Sequence, residues 1–280
     1  MLNDLLQLKF DSKICCYADD LKIFGTPGLG LQCDIDKIFE WSQRNGMSIN
    51  INKSFVVHFG KHNNDCEYRI NGTPLIAKQI IKDLGVTFDN SLKFAEHLKI
   101  VKNKCYKLIN MIFKIFRIKD QELYCKLYKI YIRSVVLYGL PIYLSNTSYC
   151  IGAIEKIQKY FTRRLYRRLD GNVVRPPYLT RLKSFGLEPL ESLCMRSDLT
   201  FLFKLTNDLL YSSFQPAIST RKPSRFIFQA GVSRTYHNSF FHRSLALWNK
   251  FIAPKFNTFP TDYTTFITFL SSNQSIFSLR

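Results

Sequence analysis

The sequence has no Cys-x-x-Cys pair, no apolar run approaching a membrane span, no internal repeat and no low-complexity tract, and it is poor in acid after residue 90. Each shortage removes a class of protein. The eight cysteines stand singly apart from Cys15-Cys16, so neither a zinc ribbon nor a disulfide framework is signalled, and they read as small buried apolar residues. The longest apolar stretches, such as "SVVLYGLPIYL", stop well short of the ~20 residues that cross a bilayer. Asp4 interrupts "MLNDLLQLKF", where a secretory leader would need a basic start and a clean apolar stretch. The expectation is a soluble intracellular protein, of nucleus or cytoplasm, with no membrane partner. His58, His62 and Cys66 recur at four-residue spacing, as zinc ligands on a helix would. But "FVVHFGKHNNDC" reads as a strand running into a polar loop, which argues against a zinc site there.

What is present supports a folded chain. A hydrophobic fraction of 46% fits a globular protein, and 280 residues can bury one sizeable core or two smaller ones. The net charge is +19, and its distribution says more than its total. Residues 1–90 hold ten Lys/Arg against eleven Asp/Glu, net −1, whereas residues 91–280 hold thirty against ten, net +20. A field of that sign favours polyanions, nucleic acid or an acidic membrane surface, and charge alone does not choose between them.

The pattern of elements is α+β, in three stretches: 1–90, 91–170 and 171–280. "KICCY" and "LKIFG" read as two strands flanking Asp19 and Asp20. A helix then runs from about Leu29 to Arg44, with Leu31, Ile35, Ile38 and Ser42 on one face and Asn45-Gly46 as its stop. "SFVVHFG" reads as a strand, "EYRINGTPLI" as a hairpin turning at Asn71-Gly72, and "KDLGVTFD" as one more strand. After Asn90 the period becomes 3.6. From about Leu92 to Ile118, Phe94, Leu98, Val101, Cys105, Leu108, Ile112 and Phe116 form an apolar stripe, with Lys99, Lys107, Lys114 and Arg117 on the far side and Lys102 also directed to solvent. A second helix covers roughly Gln121 to Tyr138 and can cover that stripe. A third starts near Thr147 or Ser148, with Ile151, Ile154, Phe161 and Leu165 inward and Lys156, Lys159, Arg163, Arg164, Arg167 and Arg168 elsewhere. Pro176-Pro177 and Gly186 then mark off a C-terminal helical subdomain, in which "SFFHRSLALWNKF" reads as one amphipathic helix. Any single basic face is first a solvated surface. Three in succession with few acids point to a polyanion groove.

Taken alone, an Asp-Asp pair at a turn is first a solvated turn, because Asp bonds nearby backbone and tolerates unusual dihedrals. Two adjacent carboxylates also repel, so keeping both ionised is favourable only in water or beside a cation. Mg²⁺ prefers hard oxygen ligands and takes one or two carboxylates plus substrate phosphates. A two-metal site of that kind performs polymerase chemistry.

"YADD", Tyr17 to Asp20, between two strands resembles the catalytic hairpin of reverse transcriptases, and its surroundings resemble those of non-LTR retrotransposons of the LINE-like, jockey/CR1 type. "NDL" at Asn3-Asp4-Leu5 precedes the hairpin as it does in that family. "GMSININKSFVVHFG" follows, with Lys53 matching a palm lysine. "IKDLGVTFDNSLKFAEHLKIVKNKC" resembles the primer-grip hairpin and first thumb helix. "IEKIQKYFTRRL" and "FFHRSLALWNKF" resemble the region beyond the thumb. The matches cover nearly the whole chain in order.

The resemblance implies a partial polymerase palm (1–90), a mainly α-helical thumb (91–170) and a C-terminal helical subdomain (171–280). It implies Asp19 and Asp20 as catalytic Mg²⁺ ligands, and Tyr17, Lys53, Lys99, Lys102, Lys107, Lys114 and Arg117 as contacts to an RNA template and DNA primer or an RNA/DNA hybrid. It places a third catalytic Asp and the fingers upstream of "NDL", and neither Asp4 nor Asp11 is positioned to replace that Asp. The expectation is an RNA-directed DNA polymerase, N-terminally truncated and inactive alone, with Mg²⁺ weakly held. Two alternatives are a non-catalytic remnant that grips RNA or an RNA/DNA hybrid and a relic without selected function.

Overall fold

Side chains that alternate in exposure about a tight loop define the first element. β1 (Lys13–Tyr17) and β2 (Asp20–Phe24) pair antiparallel, with Ile14 opposite Ile23, Cys16 opposite Leu21 and Tyr17 opposite Asp20. The structure is a computed structural model that describes residues 4–60, 66–144, 148–171, 174–210, 216–228 and 239–273. It divides into two compact units, Met1–Leu92 and Lys93–Arg280.

In the first unit the inner face of the hairpin, Ile14, Leu21 and Ile23, packs around Leu5, Ile38 and Trp41 of a small core. Ile38 and Trp41 belong to α1 (Leu29–Arg44), which has the limits its apolar period predicts and stops at Asn45. Its other flank carries Ile35 into a second cluster with Tyr68 and Ile70. There the Gln32 amide donates to the Arg69 carbonyl at 2.8 Å and accepts from the Arg69 N–H at 2.9 Å. This side chain therefore holds β4 (Arg69–Ile70) to the helix as a strand neighbour would.

The remaining strands are short. "SFVVHFG" forms a strand only at β3 (Phe55–Val56), which follows a 3₁₀ turn and pairs parallel with β6 (Ile76–Ala77), while Gly60 turns its N–H to the Asn90 carbonyl at 3.3 Å. β4 and β5 (Thr73–Pro74) make the expected hairpin, with Asn71 at φ 48° and Gly72 at φ 75° in its turn. "KDLGVTFD" is not one strand. Leu84 at φ 43° and Gly85 at φ 84° fold it into a hairpin of β7 (Ile80–Asp83) and β8 (Val86–Asp89).

The second unit is helical. α2 (Ala95–Ile115) is three residues shorter at each end than its apolar period predicts. Its deepest side chains are Leu98, Val101, Cys105, Ile109, Ile112 and Phe113, while Leu108 and Phe116 are only half-buried. The second predicted helix is interrupted: α3 (Gln121–Leu127), started by the Asp120 side chain on the Leu123 N–H, passes through a π turn (Tyr128–Ile132) into α4 (Arg133–Leu137). α5 (Leu140–Tyr143) is a single turn, and α6 (Ser148–Asp170) follows. The apolar stripe of α2 is covered by α6 as well as by the π turn: Phe113 stacks on Tyr124, and Phe161 of α6 stacks on Tyr128 at 4.4 Å. On α6, Ile154, Ile157, Phe161 and Leu165 are buried, and Ile151 is half-buried.

α7 (Tyr178–Ser184) and α8 (Leu190–Thr206) continue the same unit. The final core gathers Leu199, Leu202, Phe203, Phe226 and Phe266 round a fully buried Trp248. "SFFHRSLALWNKF" supplies α9 (Phe240–Leu247) and then a π turn (Trp248–Ile252), so it is not one regular helix; α10 (Tyr263–Ser272) closes that core. Among the described residues no helix is long and apolar enough to cross a membrane.

Candidate functional site

The tip of the first hairpin holds the acidic pair. Strand pairing runs to Tyr17 and Asp20, leaving Ala18 and Asp19 as a two-residue loop. Ala18 adopts φ 53°, the left-handed region that a two-residue loop normally fills with glycine or asparagine. Tyr17, Asp19 and Asp20 are all exposed, Tyr17 at 62%. Being cross-strand partners, Tyr17 and Asp20 share the outward face, and two residues along β2 on that face lies Lys22. Lys22 does not neutralise the pair: its ammonium is bound to Asp83 of β7 at 2.7 Å, which ties the two hairpins together. Asp19 and Asp20 make no ion pair with any described residue.

Such donors suit one kind of metal. Adjacent exposed carboxylates are hard oxygen ligands, and a Mg²⁺ that keeps its waters needs only one or two of them beside substrate phosphates. Among the described residues no group of three His, Cys, Asp or Glu side chains could hold an ion. Lys53 lies at the end of the 3₁₀ turn, its N–H accepted by the Asn50 side chain at 3.2 Å and its ammonium in solvent. His58 stacks on Tyr68, and His62 lies outside the described residues, as does Asn3 of "NDL".

The basic positions singled out in the helical unit differ in how they are held. Lys99, Lys107 and Lys114 are exposed on α2, Lys99 only 3.7 Å from Glu96 in a loose, solvent-screened pair. Lys102 is half-buried and not fully directed to solvent, and Arg117 lies past the last helical residue. Arg164 and Arg168 of α6 do structural work. Arg164 lies 5.0 Å over the Phe113 ring and donates to Asn110 and Tyr160, and Arg168 donates to the carbonyls of Phe113 and Phe116 at the end of α2. A cation there meets the negative end of the helix dipole. Lys156, Lys159, Arg163 and Arg167 remain exposed.

Periodicity misses what lies between α6 and α7. Glu155, on the buried side of α6, accepts from the Tyr178 hydroxyl and from the Leu190 N–H at 3.1 Å. Burial pushes its carboxyl up, opposed by the bonds from Tyr178 and from the Glu191 and Leu190 backbone and by the Lys159 charge. Gln158 bridges Tyr128 at 2.7 Å and Tyr178 at 3.1 Å. In front of this network opens a cavity of about 710 Å³, to which Arg175, Tyr178 and Arg181 contribute. The sequence signal was "RPPYLTRL", with two arginines six residues apart across a Pro-Pro corner.

The chain is 27% identical over 165 residues to the RNA-directed DNA polymerase from the mobile element jockey of Drosophila melanogaster, a match covering 55% of this chain and 18% of that protein. It is 31% identical over 102 residues to an uncharacterized protein of Caenorhabditis elegans, covering 36% of this chain and 50% of that protein. The match thus spans half of one curated relative and under a fifth of the other. No family model and no solved structure matches. The similarity is a distant relationship to a non-LTR reverse transcriptase.

Proposed function

We propose that the chain is part of an RNA-directed DNA polymerase of jockey-like non-LTR retrotransposon origin. On this reading Tyr17–Asp20 is its catalytic hairpin, the strands and α1 of the first unit belong to a palm, and α2 onward forms a thumb and C-terminal subdomain. The observation that carries the reading is the exposed Asp19-Asp20 pair at the tip of a helix-backed hairpin, in a chain similar to the jockey polymerase over more than half its length. Asp19 and Asp20 would hold Mg²⁺ through their carboxylate oxygens. The bound ion would polarise an attacking 3′-hydroxyl and steady departing pyrophosphate. Tyr17 offers its ring on the Asp20 face, and Lys53 offers a phosphate contact. With two carboxylates the chain by itself is expected to hold the ion weakly and to give no primer extension.

A second reading has its own observation. The net +20 of the helical unit supports binding of RNA or an RNA/DNA hybrid without turnover. Manganese distinguishes the two, because as a paramagnetic stand-in for Mg²⁺ it broadens the NMR signals of groups beside it. In the presence of an RNA/DNA hybrid, Mn²⁺ should broaden the backbone signals of Tyr17 to Asp20, and Asp19→Asn/Asp20→Asn should abolish the effect. Broadening that persists in the double variant, or never centres on the hairpin, would leave the binding reading alone.

A further inference from the structure

The cavity in front of α7 is lined by cations from two directions. Lys156, Lys159 and Arg163 reach it from α6, and Arg175 and Arg181 from the Pro-Pro corner and α7. Among the described residues no carboxylate lines it; Glu155 lies behind the Tyr178 hydroxyl that binds it. Arg181 is the telling residue. It is only 4% exposed, yet it pairs with no carboxylate among the described residues. Its Nη1 donates to the Pro176 carbonyl at 2.6 Å, its Nε faces the Thr162 hydroxyl at 3.5 Å and its guanidinium lies 5.7 Å over the Tyr178 ring, while Nη2 makes no hydrogen bond among the described residues. Burial first, and then the charges of Arg175 and Arg163, lower its pKa from the ordinary arginine value, as expected of like charges gathered without a balancing acid.

A buried guanidinium that pairs with no carboxylate and has two further arginines beside it is stabilised by an anion, and the planar arginine fork matches phosphate oxygens. The shape of the site narrows the choice. Lys156, Lys159, Arg163 and Arg167 follow one another at steps of three and four residues, so they form a stripe about 16 Å long on one side of α6 at 1.5 Å per residue. A linear stripe fits a chain of phosphates better than a single headgroup. Beside it, Tyr106 and Pro177 supply flat apolar walls, which a nucleobase can lie against and an acidic peptide would not use.

We infer that the α6–α7 cavity is a binding site for the phosphate backbone of single-stranded nucleic acid, seated on Arg163, Arg175 and Arg181 and continued along the α6 stripe. The site is made of residues other than Asp19, Asp20, Lys99, Lys107 and Lys114, although Tyr106 of α2 lines it, and the inference does not depend on polymerase ancestry. The test uses the full chain and a fluorescein-labelled oligouridylate of about eight nucleotides, within the length range that single-strand sites cover. Anisotropy is followed across a series of salt concentrations. Lys156→Gln/Arg163→Gln/Arg175→Gln alters only exposed side chains, so the fold stays intact. It should lower affinity at least tenfold and flatten the slope of log K against log salt by about 2, at ~0.7 for each phosphate no longer neutralised. Lys99→Gln/Lys107→Gln/Lys114→Gln removes the same charge from α2 and should leave single-strand affinity within about twofold. Equal losses in the two triple variants would reduce the effect to net charge and overturn the inference. So would tripolyphosphate binding that depends on the cavity residues while RNA binding does not, which would assign the cavity to free polyphosphate.

Discussion

Asp34 shows how one side chain can set the position of a candidate site. It sits on the buried side of α1, accepts the Ser12 N–H at 2.8 Å just before β1, and pairs with Lys37 at 3.0 Å. Burial by itself would raise its pKa, but the Ser12 hydroxyl, Lys37 and the Ser12 and Asp11 backbone outweigh it and hold the carboxyl below its ordinary value. A carboxyl whose folded pKa is depressed contributes stability that is complete above its unfolded pKa, near 4, and that is lost as pH falls through the folded value. Urea unfolding from about pH 6 to about pH 3 should therefore show the wild type losing stability on the acid side. Asp34→Asn should start about 1–3 kcal/mol lower and decline less steeply. An equally steep acid decline in the variant would remove Asp34 from the explanation. Periodicity correctly placed Ile35, Ile38 and Ser42 on the inner face, but nothing in a 3.6-residue pattern marks a buried acid whose partner lies twenty-two residues earlier. The same holds for Asp198 and Arg243, both nearly inaccessible and joined at 2.6 Å across forty-five residues of sequence. Burying such a pair is costly unless its geometry is good, and here the guanidinium also bonds the Pro141 carbonyl.

At the scale of elements, legibility followed the strength of local signals. α1 has an apolar period and an Asn-Gly stop, and Asn71-Gly72 announces its turn, so both appeared where they were read. The β7–β8 hairpin was missed because its turn puts leucine at a left-handed position, where the usual signal is Asn or Asp. The π turns inside "LYKIYIRS" and "LWNKFIA" leave no mark on the apolar pattern, which tolerates one extra residue per turn locally. The first hairpin was legible as a hairpin, though not the strain at its tip. An L-residue in the left-handed region costs ~1–2 kcal/mol, and strain of this kind persists where the surroundings fix it. Ala18→Gly should relieve that cost, offset in part by glycine's greater freedom in the unfolded chain, for a net gain of up to about 1 kcal/mol. Ala18→Val, branched at Cβ, should lose at least about 1 kcal/mol at the same position. Urea midpoints at constant m give both values, and a glycine variant no more stable than the valine variant would mean that the loop does not hold Ala18 left-handed.

Over the whole molecule, charge and structure divide at nearly the same place. The unit ending at Leu92 carries −1 and the unit beginning at Lys93 carries +20, so attraction for a polyanion is concentrated in the helices while the acidic pair sits in the other unit. That partition was legible by counting residues. Which cations are available was not, because Arg164 and Arg168 are turned onto the end of α2 and Lys102 is half covered. Exposed on α2 are Lys99, Lys107 and Lys114, with Lys104 also exposed, on a helix whose buried face is already satisfied by α6 and the π turn. Contacts from such lysines go to phosphates, so they should ignore sequence and weaken steeply with salt, by about 0.9 in log K per phosphate per log unit on a duplex. Lys99→Gln/Lys107→Gln/Lys114→Gln should accordingly flatten the salt dependence of binding to an RNA/DNA hybrid by up to about 2.7 and weaken all sequences alike. Lys102→Gln, removing a cation already partly covered, should change the slope by less than any one of the three. Fluorescence anisotropy on hybrids of two unrelated sequences measures both effects, with the thermal midpoint confirming that the apolar face is undisturbed. A slope unchanged in the triple variant would make the basic side of α2 a solvated surface only, and would leave polyanion binding by this unit to α6 and α7.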